Sequence, residues 1–287
     1  MAQTLREIRA LLGAHGLRPN HKLGQNFLHD GAQMDKVIAA AGLSPGEAVL
    51  EVGPGTGALT GRLLEAGAKV VAVELDRGLA GLMRGAFEAE IDEGRLTLIE
   101  GDVLAGKRAV SPAVVEAVDA VRGGGSFQLV ANLPYGCASP VLAILASEVP
   151  AMRGAVAMIQ KEVADRLTAA PGGKAFGPLT AMVGAFCEVK RVAVVPPGSF
   201  WPAPKVHSAV VRLERRASPL TRDAAGLGAM LHRLFSKRRK QLKAILGADT
   251  AWPEGVSPTD RPERLSIAQL CVLAEGVGEG AAGDRSA

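Results

Sequence analysis

The chain has 287 residues, of which 48% are hydrophobic and 22% are charged, and its formal net charge at pH 7 is +4. This composition supports a large buried core and excludes an intrinsically disordered chain, and the length favours one α/β domain followed by a smaller unit. The modest positive charge permits a polyanionic partner without requiring one.

The N-terminal segment predicts an amphipathic helix over residues 4–12, whose charged side chains Arg6, Glu7 and Arg9 argue against a signal peptide. No apolar run reaches the roughly 18 residues that a membrane-spanning helix needs. We therefore expect a cytoplasmic protein that does not associate with membranes.

Residues 49–64 predict a buried strand, a tight turn and the start of a helix, because an apolar run gives way to alternating glycines and then to leucines at helical spacing. Without Cβ atoms, Gly53, Gly55 and Gly57 let the backbone and the helix N-terminus approach a nucleotide-like ligand. The same glycines also fit a dinucleotide-binding turn or a purely structural one.

A second apolar run, residues 70–73, ends in Glu74 about 20 residues after the glycines, where a carboxylate can accept from a ribose diol. Further strands are expected at 96–99, 128–131 and 156–159, separated by helical segments. This alternation predicts an α/β, doubly wound, mostly parallel sheet. Its strand ends bring together four polar residues: Glu51, Glu74, Asp102 and Asn132.

Two of these strand ends suit the binding of a planar base. Asp102 could accept a hydrogen bond from the exocyclic amine of adenine, or it could cap a helix. In the sequence Asn132-Leu133-Pro134-Tyr135, the Asn132 amide and the Leu133 carbonyl could accept from an amine while Tyr135 stacks on the ring. An Asx-type turn with a packed aromatic side chain is the structural alternative.

Closing strands are predicted at 189–195 and 206–213, joined by the proline-dense loop 196–204 over the strand ends. We expect a cofactor-binding domain over 1–216, with residues 1–30 lying over the site. A helical domain should follow over 217–276, with helices at 221–246 and 266–275, and then a mobile tail over 277–287.

The stretch from Met230 to Leu246 is strongly basic and contains no acidic residue. As a helix it would place basic side chains on a face away from its apolar stripe, forming either a solvated face or a phosphate-binding surface. Six like charges gain no pairing benefit without an anion, which favours RNA binding. The candidate RNA-binding residues are Arg233, Lys237, Arg239 and Lys240, whereas Arg238 falls near the apolar stripe.

Three cysteines, Cys137, Cys187 and Cys271, lie far apart without a Cys-x-x-Cys pair, so neither a zinc site nor a disulfide framework is predicted. We expect no bound metal.

The chain resembles the KsgA/RsmA family of small-subunit ribosomal RNA adenine dimethyltransferases, which share a fold with the erythromycin-resistance (Erm) methyltransferases. The matching segments span nearly the whole chain. They are 22–28 (Lys-Leu-Gly-Gln-Asn-Phe-Leu), 51–60, 74–76 (Glu-Leu-Asp), 132–135, 160–167, 200–211 and 235–240.

The resemblance implies a Rossmann-like methyltransferase sheet with a small helical domain, acting as a monomer on two adjacent adenosines near the 3′ end of 16S rRNA in the small ribosomal subunit. S-adenosylmethionine would be contacted by Asn26, Leu28, Gly53, Glu74, Asp102 and Asn132. The target base would be held by Asn132 and Leu133 and stacked between Tyr135 and Phe200.

Two positions depart from the family pattern. Gly136-Cys137-Ala138 replaces the more usual Asn-Ile-Ser, and His207 stands where the family usually has Asp. These departures concern the shape and rim of the target pocket.

Three other functions fit part of the sequence. An Erm-like large-subunit methyltransferase shares the core motifs, but the segments 160–167 and 235–240 argue against it. An RNA-binding assembly factor of the same fold would keep the fold without using the catalytic residues. An NAD-dependent oxidoreductase would follow from the glycines alone.

Overall fold

The computed structural model describes residues 3–106, 109–247 and 249–282. The helices of this part of the chain are α1 Leu5–Ala14, α2 Gly31–Ala41, α3 Ala58–Glu65, α4 Arg77–Ala86, α5 Glu88–Asp92, α6 Pro112–Arg122, α7 Ala138–Glu148, α8 Lys161–Leu167, α9 Pro178–Phe186, α10 Ala224–Phe235, α11 Lys243–Leu246 and α12 Ile267–Ala282. Its strands are β1 Phe27–Leu28, β2 Ala48–Val52, β3 Lys69–Glu74, β4 Leu96–Glu100, β5 Leu104–Ala105, β6 Ala109–Val110, β7 Phe127–Asn132, β8 Met152–Gln160, β9 Cys187–Val195, β10 Phe200–Trp201 and β11 Ser208–Arg215.

The chain divides into two compact units. The first comprises Met1–Leu145, Val149–Ala164 and Lys190–Glu214, and the second comprises Ala146–Glu148, Asp165–Val189 and Arg215–Ala287. The second unit thus includes a segment, Asp165–Val189, that precedes the boundary predicted at residue 216.

A seven-stranded sheet of order β4-β3-β2-β7-β8-β11-β9 organises the first unit. Its first five strands in this order are parallel, and β11 runs antiparallel to β8. All five residues of β2 are buried, as expected for a central parallel strand covered on both faces. The predicted mostly parallel α/β sheet, with two closing strands at one edge, is confirmed.

Helices cover both faces of this sheet. Leu63 of α3 belongs to the same buried cluster as Val70 of β3. The side chain of Leu50 in β2 faces the other way, where Val114 and Val118 of α6 lie beside it. The order of the strands reverses between β2 and β7, because β3 and β4 lie on one side of β2 and β7 and β8 on the other. In such sheets ligands bind beyond the carboxyl ends of the strands at this reversal.

The N-terminal segment is attached to the end of the proline-dense loop. Strand β1 pairs antiparallel with β10, so that Leu28 lies opposite Phe200 and Phe27 opposite Trp201. Phe27 also stacks on Trp201, with ring centroids 6.4 Å apart, and the Arg9 guanidinium lies 5.0 Å from the Trp201 ring centroid. The predicted N-terminal helix is confirmed as α1, which begins with a capping box between Thr4 and Glu7.

The second unit is mostly helical, and α10 contacts both α9 and α12. The apolar stripe expected on α10 is buried at Leu227, Leu231 and Leu234. Helix α12 extends to Ala282, beyond the predicted end at 275, and residues 283–287 of the predicted tail lie outside the described residues. No helix in the described ranges is long and apolar enough to cross a membrane.

The prediction of one helix through residue 246 is wrong. Helix α10 ends at Phe235, and residues 236–242 form a turn before α11. At the end of this turn, the N–H groups of Leu242 and Lys243 donate to the carbonyls of Asp260 and Pro258, at 2.8 and 2.9 Å, instead of to helix carbonyls. A continuous helix would also stack neighbouring like charges one turn apart, which is unfavourable.

Candidate active site

A cavity of about 480 Å³ lies beyond the carboxyl ends of the central strands. Its position is the strand reversal between β2 and β7, where a ligand site is expected. The structure brings eight of the predicted site residues together in its lining: Asn26, Leu28, Gly53, Glu74, Asp102, Asn132, Leu133 and Tyr135.

The glycine turn that follows β2 lines the cavity. Gly53 has a φ of +71°, and a Cβ atom placed on it would lie 2.9 Å from Cγ of Pro134. Gly55 has a φ of +62°, and its Cβ would lie 3.2 Å from the ring of Phe27. The turn therefore needs glycine both for its left-handed backbone and for its close approach to the segments on either side.

Glu74, at the end of β3, is 5% exposed and is held by backbone donors. Its Oε1 accepts from the Asp76 N–H at 2.8 Å, and its Oε2 accepts from the Gly55 N–H at 3.1 Å. Burial is the largest influence on this carboxyl and raises its pKa, while the two backbone donors act in the opposite direction. Each oxygen can accept a further hydrogen bond, so the fixed carboxylate can bind a pair of hydroxyls.

Asp102 is an exposed residue that lines the cavity after β4. Its Oδ1 accepts from the Leu104 N–H at 2.9 Å, so this residue stabilises a turn and not the start of a helix. None of the residues that the structure describes donates to its second carboxylate oxygen, which can accept from an amine.

Asn132 ends β7 and is fixed by the N-terminal segment. Its Nδ2 donates to the backbone carbonyl of Asn26 at 3.3 Å, and Nδ2 of Asn26 donates in turn to the carbonyl of Gly24 at 3.0 Å. None of the described residues donates to Oδ1 of Asn132. The amide is therefore oriented with its donor in use and its acceptor available, which is the arrangement needed to bind an exocyclic amine.

The two predicted stacking residues have different environments. Tyr135 lines the cavity, and its Oη lies 2.7 Å from Oγ of Ser208; burial raises the pKa of this phenol. Phe200 is only 3% exposed, packs in the core cluster that contains Leu28, and is not part of the cavity lining. The structure therefore places the Phe200 ring in the core cluster and not in the lining of the cavity.

Glu51, one of the four polar residues expected at the strand ends, also lines the cavity, although the motifs assign it no contact with a ligand. It is 1% exposed, and its Oε2 accepts from Oγ1 of Thr60 at 2.6 Å. Burial, and next the charge of Glu74, raise its pKa to about 8, against the lowering effect of Thr60. The sequence signal for a role of Glu51 is its position inside an otherwise apolar strand, because charged residues are rare in buried strands.

Cys137 also lines the cavity, and Gly136 lies beside it. Its Sγ donates to the Pro134 carbonyl at 3.4 Å, and burial, followed by the charge of Asp102, raises the pKa of the thiol to about 11. The departure at 136–138 from the family pattern thus changes the cavity lining itself. A thiol with this pKa is a poor nucleophile at neutral pH.

In the second unit, the side chains of Lys237, Arg239 and Lys240 are exposed in the turn 236–242 and form no hydrogen bond or ion pair with another described residue. Arg233 donates from Nη2 to the carbonyl of Ile245 at 3.1 Å, which ties α10 to α11. Arg238, which the helical pattern places near the apolar stripe, donates to the carbonyls of Gly173 and Lys174 at 3.2 and 3.0 Å and so has a structural role.

Comparison with known proteins gives consistent results. The sequence profile of the family described as "Ribosomal RNA adenine dimethylase" matches residues 16–276. The chain is 40% identical to "Ribosomal RNA small subunit methyltransferase A" of Magnetococcus marinus, over 93% of this chain and 95% of that protein. It is 38% identical to the protein of the same name from Rhodococcus opacus, over 93% of this chain and 92% of that protein.

Solved structures agree with this result. A dimethyladenosine transferase from Plasmodium falciparum is 28% identical with a TM-score of 0.70, covering 88% of this chain and 98% of its own. The 23S rRNA methyltransferase ErmE is 27% identical with a TM-score of 0.65, covering 88% of this chain and 100% of its own.

Proposed function

Because the chain belongs to the ribosomal RNA adenine dimethylase family, we propose that it transfers methyl groups from S-adenosylmethionine to N6 of two adjacent adenosines near the 3′ end of 16S rRNA. The family assignment covers residues 16–276 and therefore confirms the resemblance predicted from the motifs. The relatives that are 36–40% identical are named for the small subunit, which favours this substrate over that of ErmE.

The observation that carries this proposal is the orientation of Asn132 at the strand reversal. Its Nδ2 is committed to Asn26, so Oδ1 can accept from an exocyclic amine that enters the cavity. Leu133 lines the same cavity, and its carbonyl would supply a second acceptor. Two such hydrogen bonds draw the amine out of conjugation with the ring and make its nitrogen lone pair available for attack.

The cavity also suits the cofactor. Glu74 would accept from the ribose hydroxyls, Asp102 from the adenine amine, and the turn at Gly53 would leave room for the methionine part. Asn26 and Leu28 would cover the ligand from the N-terminal side. When bound, S-adenosylmethionine supplies an electrophilic methyl group on a sulfonium centre. The residues that face the cofactor would bind and orient it.

Tyr135 would stack on the target adenine. Its ring lies in the cavity lining, and its hydroxyl is held by Ser208 at 2.7 Å, so the ring is preorganised for a planar base. Placing an adenine there requires that the base leave its helical stack. Phe200 as a second stacking residue would need to move out of the core.

We further propose that the exposed basic turn, with Lys237, Arg239 and Lys240, and the neighbouring Arg233 bind phosphates of the RNA substrate. The support is chemical: three adjacent cations have no partner among the described residues, and phosphates supply the missing counter-charge. Such contacts would position the RNA without selecting its sequence.

The proposed activity is tested by incubating the protein with radiolabelled S-adenosylmethionine and small ribosomal subunits that lack the modification. After digestion, the label should be found in N6,N6-dimethyladenosine. Large subunits and an Asn132→Ala protein serve as controls. Label that appears only with large subunits, or in another nucleoside, would overturn the proposal.

A further inference from the structure

The loop of residues 202–207, which we call the mouth loop, connects β10 to β11. It begins after β10, whose pairing with β1 places Phe200 opposite Leu28, and Leu28 lines the cavity. It ends before Ser208, the hydrogen-bond partner of Tyr135, which also lines the cavity. Both ends of the loop are therefore fixed to residues that touch the site.

The second end of the loop is held by the sheet as well. Ser208 lies opposite Gln160 in the β8–β11 pair, and the Lys161 N–H donates to the carbonyl of His207 at 2.9 Å. The backbone of His207 is thus fixed one residue away from the hydrogen bond that holds Tyr135. Its position relative to the target-base side of the cavity is determined by the fold.

The side chains near this end are exposed and lack partners. Lys205 and His207 are exposed, and neither side chain forms a hydrogen bond or ion pair with another residue of the described ranges. Val206 between them is 46% exposed. An ammonium and an imidazole both present N–H donors, and neither is used within the fold described.

We propose that Lys205 and His207 bind the phosphates that flank the target adenosine and hold the RNA backbone at the mouth of the cavity while the base lies against Tyr135. The inference rests on the proposed function and adds an RNA-binding segment in the first unit. A base that leaves its stack must be held by its neighbours in the strand, and N–H donors beside the cavity can do this.

The residue at position 207 determines whether this end of the loop attracts or repels a phosphate. A carboxylate, which the family pattern usually has at this position, would repel phosphate oxygens, whereas the imidazole of His207 can donate to them. The loop should therefore contribute to substrate affinity in this chain and should lose that contribution when His207 is replaced by Asp. Replacement by Gln keeps an N–H donor and should retain most of the affinity.

The test compares His207→Asp, His207→Gln and Lys205→Ala with Lys69→Ala as a matched control, since Lys69 is an exposed residue at the start of β3, at the opposite end of the strands. With unmodified small subunits and saturating S-adenosylmethionine, His207→Asp should raise KM roughly tenfold with little change in kcat. Lys205→Ala should lower the dependence of log K on log salt by roughly 0.7 to 0.9. Cofactor affinity, measured by calorimetry, should remain at the wild-type value in all four proteins.

These measurements distinguish a failure of the mouth-loop proposal from a failure of the proposed methyl transfer. A wild-type protein that dimethylates adenosine, together with loop variants that keep the wild-type KM and salt slope, would overturn the assignment of the mouth loop alone. A wild-type protein that transfers no methyl group would overturn the proposed function. In that case the salt slope of RNA binding by Lys205→Ala, against Lys69→Ala, still decides whether the loop binds phosphates.

Discussion

Nδ2 of Asn132 donates a hydrogen bond to the backbone carbonyl of Asn26, and the two residues are 106 positions apart in the chain. This bond joins the N-terminal segment to the strand end that carries the proposed amine acceptor. It also fixes which side of the amide faces outward as an acceptor. Residues of the N-terminal segment therefore line the cavity and orient the Asn132 amide.

The first prediction concerns this amide. Asn132→Ala removes the oriented acceptor and should lower kcat by about 10²- to 10³-fold, the range seen when one preorganised polar group is removed from an active site. S-adenosylmethionine should still bind, at least in part, because Glu74 and Asp102 remain. Turnover would be measured with small subunits, and Tyr135→Phe, which keeps the ring but removes the hydrogen bond to Ser208, is the control. Near-normal kcat in Asn132→Ala would mean that this segment is only a turn.

The second prediction concerns the cofactor. Glu74→Ala should weaken S-adenosylmethionine binding by about 10- to 100-fold, since it removes charge-assisted hydrogen bonds. The backbone donors at Gly55 and Asp76 would also be left without their acceptor. The matched control is Glu100→Ala, because Glu100 is the neighbour of Glu74 in the β3–β4 register and lies outside the cavity lining. If calorimetry gives equal affinities for the two folded variants, the ribose assignment is wrong.

The third prediction separates backbone strain from steric crowding at the glycine turn. Gly53→Ala places a Cβ 2.9 Å from Pro134, whereas Gly46→Ala, at a φ of +81°, has nothing within 4 Å. Both changes should cost about 1–2 kcal/mol of unfolding free energy for the left-handed backbone. Gly53→Ala should cost more and should also weaken cofactor binding. Chemical denaturation and calorimetry on both variants check this, and equal effects would show that crowding against Pro134 is unimportant.

The strands and the glycine turn could be predicted from local sequence, because their apolar runs and their turn residues are contiguous. The clustering of Glu74, Asp102 and Asn132 followed from the rule that parallel strands end at one edge. Local sequence could not show the pairing of Leu28 with Phe200, which joins segments far apart in the chain, or the burial of the Phe200 ring in the core.

The basic segment of residues 230–246 shows that periodicity does not predict where a helix ends. Leu231 and Leu234 have helical spacing that continues to Leu242 and Ile245, and all four are buried. Leu231 and Leu234 nevertheless lie on α10, Leu242 at the end of the turn and Ile245 on α11. The Leu242 and Lys243 N–H groups donate to the carbonyls of Asp260 and Pro258. Periodicity predicts which side chains are buried, but a distant segment that offers better hydrogen bonds can interrupt the helix.

The fourth prediction is a pH dependence of stability set by Glu51. Its pKa of about 8 in the folded protein lies above the ordinary value of 4.5, so between these two values the folded state holds a proton that the unfolded state releases. The free energy of unfolding contributed by this group should therefore fall as pH rises from about 4.5 to about 8. Glu51→Gln keeps an acceptor for Thr60 and removes the titration.

Denaturation at pH 5.5, 7 and 8.5 checks this difference between Glu51→Gln and the wild-type protein. The variant should gain stability relative to the wild type as pH rises through this window. A difference that stays constant with pH would show that Glu51 is ionised throughout in the folded state.

The last prediction concerns the basic turn in the second unit. Replacing Lys237, Arg239 and Lys240 with Ala removes three exposed cations without removing a hydrogen bond to another described residue, so the fold should be retained. RNA binding at low salt should weaken, and the slope of log K against log salt should fall by roughly 0.7 to 0.9 for each phosphate that the variant no longer binds.

Arg238→Ala is the contrasting variant, because the Arg238 guanidinium donates hydrogen bonds to the carbonyls of Gly173 and Lys174. That change should lower the unfolding free energy by removing these hydrogen bonds and should leave the salt slope largely unchanged. Cofactor affinity should be unaffected in the triple variant, which distinguishes a docking role from general damage. A wild-type salt slope in the triple variant, measured on assembled small subunits, would mean that the turn is a solvated surface and that the RNA is held elsewhere.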